Sequence, residues 1–188
     1  PTLIHVNGKI QPPGLREKNR EDGVTCAGCH LDENGSVHGK YDLSAPHPTI
    51  QDERFTRAKS ANLCAACHQA DRMAPNQQTA AEWKKDFAPR DSRTCQDCHM
   101  PQVTRLLSEI FSDRPKRQIG KHLFAGGHAQ SMLQQAAALM IQLDNSNPPS
   151  PKILVANTAA AHSIPTAHGP RATIAQTLLK DPNAQAVP

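Results

Sequence analysis

The chain has 188 residues, 37% of them hydrophobic and only 3% aromatic, with 16 Pro, 10 Gly, 10 His and a formal charge of +4. Side chains so poor in aromatics are thin material for a core of this length, and something besides side chains is expected to fill the middle. The clustered Cys and His argue against a disordered chain, no basic run with aromatic neighbours marks a nucleic-acid surface, and no stretch approaches the roughly 18 apolar residues that span a bilayer.

In chain order, residues 1–22 read as a polar, loop-like lead-in containing His5. The first residue is Pro1 rather than Met, and the expectation is an exported chain whose signal has been removed. A body over residues 23–143 opens with Cys26-Ala-Gly-Cys29-His30. His38 follows in a flexible Asn-Gly-Ser-Val-His-Gly stretch, and His47 lies between prolines that hold an extended segment. Residues 53–72 have helical character and carry Cys64-Ala-Ala-Cys67-His68 near their end, and 79–87 read as a second short helix bearing Trp83. Cys95-Gln-Asp-Cys98-His99 comes next, then His122-Leu-Phe-Ala-Gly-Gly-His128. The longest helix is expected over 127–143, where Met132, Leu133, Ala136, Ala137, Met140 and Ile141 recur at the spacing of one buried face. Residues 144–151 are a linker by composition. Beyond it, 152–188 read as a small β-like appendage carrying His162, with 153–156 as one strand and 172–179 as a strand or a helix.

All six cysteines fall into three copies of Cys-x-x-Cys-His. This is the attachment pattern for c-type heme. Two thiols two residues apart reach the two vinyl-derived carbons on one porphyrin edge, and the adjacent imidazole swings under the ring to the iron. Zinc ribbons need an even number of Cys pairs and no obligatory His after each. A redox-active Cys-x-x-Cys is a single site in its fold, and cysteines so close in sequence make poor disulfide staples. The expected cofactor is therefore three covalently attached hemes c, with thioethers at Cys26, Cys29, Cys64, Cys67, Cys95 and Cys98 and proximal ligands His30, His68 and His99. Each ferric heme adds a net charge of about −1, so the basic balance of the polypeptide largely disappears in the loaded protein.

The three motifs resemble those of the multiheme c-type cytochromes of bacteria and archaea. The resemblance extends to Cys95–Pro101, which reads Cys-Gln-Asp-Cys-His-Met-Pro, to the His-x-Phe-x-Gly-Gly-His element at His122–His128, and to the His-x-x-Pro-Thr element that opens at His162. It implies a mainly α fold with extensive loops, packed around stacked hemes, with a small β appendage near the C-terminus. It assigns His162 as a distal iron ligand, and makes Arg171 a candidate propionate contact. Ala167 stands where that family usually has Gly, and His168 adds a second nitrogen donor nearby. His122, His128, His47 and His38 are the remaining candidates for distal ligands. Seven histidines are spare for three irons, so bis-His ligation and low potentials are expected over ligation by Met73, Met132 or Met140.

The resulting expectation is an electron carrier rather than a catalyst, periplasmic or extracellular. Other redox proteins or hemes would be its donor and acceptor. Two alternatives stay open: a subunit of a heme-bearing filament or larger redox complex, homo-oligomers included, and a reductase or oxidase of small nitrogen or sulfur compounds with one five-coordinate heme. Fold-level analogy does not choose among them.

Overall fold

The structure is a computed structural model, described over residues 3–12, 14, 23–56, 59–69, 77–110, 112–146 and 150–166. Arg171, His168, Met73 and the segment 172–179 lie outside the described residues.

The elements are short. A hairpin of β1 (His5–Val6) and β2 (Lys9–Ile10) turns through Asn7 and Gly8, both at positive φ. Helix α1 (Cys26–His30) leads into β3 (Val37–Gly39), which pairs in parallel with β4 (Thr49–Gln51). A 3₁₀ turn at Glu53–Phe55, started by the Asp52 carboxylate accepting from the Arg54 amide, precedes α2 (Ala61–His68). Helix α3 (Thr79–Glu82) runs into a π-helical turn over Trp83–Phe87, and α4 is Cys95–His99. An antiparallel hairpin of β5 (Gln102–Arg105) and β6 (Arg117–Gly120) follows. Helix α5 (Gln130–Ala136) then passes directly into β7 (Ala137–Leu143), paired antiparallel with β8 (Pro151–Asn157).

The chain is not mainly α. Five helices among the described residues account for about 26% and four small two-stranded sheets for about 24%. Each heme-type motif forms a helix of only five to eight residues, ending at its own histidine. The helix expected over 127–143 stops at Ala136, and 137–143 is a strand. Leu139, Ile141 and Leu143 recur at period two and sit opposite Val155, Ile153 and Pro151, so cross-strand pairing of β-prone side chains overrides the helical spacing. The lead-in is also more than loop, because Ile4 and His5 are among its buried residues.

The core is small. Ile4, Leu63 and Ala66 form its centre, with Ile10, Cys29, Phe55 and Cys67 packed against them. Its position matters more than its size: it sits between α1 and α2, so the sulfurs of the first two motifs flank one apolar cluster. Among the described residues no helix is long and apolar enough to cross a membrane.

Candidate functional site

Helices α2 and α4 are held against one another, and Cys29 of α1 packs on the apolar cluster that α2 supplies. Within α4, the Asp97 carboxylate accepts from the Thr94 amide at 2.7 Å and from its hydroxyl at 3.1 Å, closing the helix start as a capping box. Gln96 Nε2 donates to the Ser60 carbonyl at 2.5 Å, and the Ser60 and Thr94 hydroxyls meet at 3.4 Å. These bonds dock α4 on the start of α2. The Cys95 thiol beside it, with burial behind, pushes the Cys64 thiol up, while the Cys64 thiol lowers Cys95. Burial also raises Cys29, Cys67 and Cys98. No disulfide joins any of the six cysteines.

The histidines show the clearest order. His30 Nδ1 donates to the His38 carbonyl at 2.8 Å, and His99 Nδ1 to the Ala125 carbonyl at 2.5 Å. His122 Nδ1 donates to the Gly120 carbonyl and His162 Nδ1 to the Ser163 carbonyl, both at 3.0 Å. A carbonyl only accepts, so each of these rings carries its hydrogen on Nδ1 and keeps the Nε2 lone pair for a metal. The four rings also come in pairs. His99 and His162 have centroids 6.3 Å apart and planes 10° apart; His30 and His122 stand at 6.1 Å and 44°. About 2 Å from metal to nitrogen and about 1 Å from nitrogen to ring centre put two imidazoles on opposite sides of one metal about 6 Å apart. The two separations match that spacing, and imidazole nitrogens are donors that suit heme iron.

Local structure explains each delivery. His162 sits in the loop after β8, where Asn157 Nδ2 donates to the His162 carbonyl at 2.8 Å. Glu82 of α3 accepts from the Ser163 amide at 3.0 Å and the Thr166 hydroxyl at 2.9 Å, and Thr79 meets Thr166 at 2.9 Å. His122 follows β6, and Tyr41 donates to the Gln118 carbonyl at 2.7 Å, tying that hairpin to the chain after the first motif. Phe124, at φ 46°, turns its edge to the His122 ring. Phe55 lies over His30 with centroids 4.8 Å apart.

The other candidates lie elsewhere. His68 ends α2, exposed, with Nδ1 at 2.9 Å from the Gln77 carboxamide. His47 and His128 are exposed. His38 is buried between two carboxylates, Asp52 at 2.7 Å from Nδ1 and Asp32 at 3.1 Å from Nε2. Trp83 donates to the Arg93 carbonyl at 3.2 Å. Sequence reasoning did not single out Glu82, Asp52 or Phe55, and nothing in their neighbourhoods along the chain marks them. It left His5 out of the candidate ligands, whereas His5 is 2% exposed and donates from Nε2 to the Cys29 carbonyl at 2.7 Å.

The family model for the outer membrane cytochromes MtrC/MtrF-like, domains II/IV, matches residues 5–110, more than half of the chain and all three Cys-x-x-Cys-His motifs. His122, His128 and His162 lie beyond the matched stretch. No curated protein and no solved structure matches the chain.

Proposed function

We propose that this chain, which belongs to the MtrC/MtrF-like outer membrane cytochrome family (domains II/IV), conducts electrons through three covalent hemes c whose irons are mainly bis-histidine ligated. As a member it is a multiheme c-type cytochrome of the outer membrane or cell exterior, carrying covalently bound heme and exchanging electrons with redox partners. The observation that carries the finer reading is the pair of imidazole pairs, His99 with His162 and His30 with His122, at the separation of trans ligands on one metal.

In this reading the thioethers form at Cys26 and Cys29, Cys64 and Cys67, and Cys95 and Cys98. His30, His68 and His99 are the proximal ligands, and His122 and His162 the distal ligands of the first and third irons. His47, His128 and His168 are the candidates for the second iron, with Arg171 as a candidate propionate partner. Bound heme supplies the one-electron chemistry. His30 with His122, and His99 with His162, would hold the first and third irons, whose two imidazole donors would keep reorganisation on electron transfer small. The Nδ1–carbonyl bonds fix the ring orientations, and contact between the motif helices brings successive attachment points together. The residues 23–143 form the heme-binding body, and the segment from 152 onward contributes a distal ligand. The location is outside the cytoplasm, periplasmic or extracellular.

The test is mass spectrometry of natively produced protein together with low-temperature electron paramagnetic resonance of its oxidised form. Three added macrocycles and low-spin bis-histidine signals are expected. A bare polypeptide mass overturns the reading, and a resting high-spin heme replaces the carrier with a catalyst.

A further inference from the structure

Beside the first motif lies a buried group of charged side chains that the electron-transfer reading does not use. His5, His38 and Asp52 are 2%, 6% and 6% exposed, and their ligand atoms lie within 4.8 Å of one another. A metal site is the obvious reading, but two features oppose it. The His5 and His38 rings stack with centroids 4.4 Å apart and planes within 25°, so their in-plane lone pairs run alongside one another rather than converging. The Asp52 carboxylate is already occupied by Arg54, whose Nη2 lies 2.6 Å from Oδ2 and whose Nε lies 2.8 and 2.9 Å from the two oxygens. A cation there would face a guanidinium.

The same contacts make a brace. Asp52 anchors one edge of the His38 ring and Asp32 the other. Asp32 is itself fixed by the amides of Asn34 and Ser36, at 2.9 and 2.8 Å. The backbone is held as well, since β3 pairs with β4 and the Asp52 amide donates to the Gly39 carbonyl at 2.8 Å. Arg54 extends the network to the Gly8 carbonyl at 3.2 Å. The product of all this order is the position of one acceptor, the His38 carbonyl that receives the Nδ1 hydrogen of His30.

We propose that Asp52, His38 and Asp32 are positioning residues for His30, holding the carbonyl that orients its ring and setting the charge beside it, and thereby lower the reduction potential of the heme at the first motif. The inference rests on the reading of His30 as an axial ligand. Both of its parts have one sign. A firm Nδ1–H bond makes the imidazole a stronger donor, which favours ferric iron. Asp52 is paired with Arg54, so the pair is close to neutral in the unmodified chain; removing the carboxylate charge leaves the guanidinium unbalanced, which favours the ferrous state, one positive charge lower.

The experiment is a redox titration of the full holoprotein, followed by electron paramagnetic resonance, in the unmodified chain and in Asp52→Asn, Asp32→Asn and Asp52→Glu. His122→Met marks which signal belongs to the first heme. Asp52→Asn is expected to shift that heme's reduction equilibrium about tenfold towards the ferrous form, a rise of about 59 mV for a one-electron couple. Its g-values should change while the other two hemes stay put. Asp32→Asn, nearer the surface, should give a smaller rise, and Asp52→Glu should restore most of the loss. A merely structural role would lower the yield of holoprotein without moving one heme selectively. Unchanged potentials and g-values in both Asn variants overturn the brace. If Asp52→Asn yields no holoprotein, Asp32→Asn decides alone. Absence of a low-spin bis-histidine signal from the first heme of the unmodified protein overturns the ligand assignment instead, and is visible before any variant is made.

Discussion

His99 and His162 lie 6.3 Å apart with ring planes only 10° from parallel, each with its Nδ1 hydrogen on a backbone carbonyl. Both Nε2 lone pairs are thereby left clear of those carbonyls. Replacing His162 by Ala should leave the third iron five-coordinate. A high-spin ferric signal should appear, with loss of one low-spin species and retention of all three hemes by mass, because the thioethers at Cys95 and Cys98 do not depend on the distal ring. The same variant should bind small ligands such as cyanide faster than the unmodified protein. A spectrum unchanged by His162→Ala removes His162 from the iron.

The His30–His122 pair differs in one respect, a 44° angle between planes. Ring orientation sets how the two imidazoles split the iron d orbitals: near-parallel planes give a rhombic low-spin signal, and crossed planes move it towards a larger maximal g-value. Two distinguishable low-spin species are therefore expected in the oxidised protein, with the more anisotropic one lost selectively in His122→Ala. Electron paramagnetic resonance of the two single variants, side by side, checks both assignments.

Thr94 and Asp97 close the start of α4, the helix that presents Cys95, Cys98 and His99. Thr94 is buried and also meets Ser60 of the α2 start. Thr94→Ala removes the cap and that contact together, and should destabilise the protein by about 0.5–2 kcal/mol, the usual range for a lost N-cap. Chemical denaturation of the holoprotein should show this as a lower midpoint with an unchanged slope. Asp97→Asn, which keeps an acceptor oxygen near the Thr94 amide, should cost less.

The family was legible in what is local in sequence, and the contacts made between distant residues were not. Cys-x-x-Cys-His announces itself because both sulfurs must reach one porphyrin edge, so the spacing is set within five residues. The family match covers those same residues. His162 stood out from its Pro-Thr neighbours, and His122 from Gly126 and Gly127, yet which iron each would serve depends on how the β5–β6 hairpin and the loop after β8 return to α1 and α4. No periodicity encodes that. The α5–β7 junction failed for a related reason: Met132, Leu133, Ala136, Ala137, Met140 and Ile141 satisfy a helical spacing, but Leu139, Ile141 and Leu143 also satisfy a strand, and β8 decides between them. Burial of His5 rests on Cys29, and the role of Asp52 on His38 and Arg54, partners that sequence alone does not bring together.

The turn joining β7 to β8 is organised by Asp144, whose Oδ1 accepts from the Ser146 amide at 3.1 Å and the Ser150 amide at 2.8 Å as well as from the Ser146 hydroxyl. These bonds, the Ser146 hydroxyl first, hold its carboxyl below the ordinary carboxylate range. A depressed folded-state value means that ionised Asp144 stabilises the turn at all pH above the unfolded value, about 3.9, and that this contribution disappears as pH falls through the lower folded value. The hairpin should therefore be indifferent to pH from neutrality to about 5 and loosen in stronger acid. Amide exchange at Ser146 and Ser150, corrected for its intrinsic pH dependence, should accelerate only in the acid limb. Asp144→Asn should flatten that acid limb, while leaving the low-spin signals of the hemes as they were. An acid limb that persists in Asp144→Asn assigns the loosening to another group.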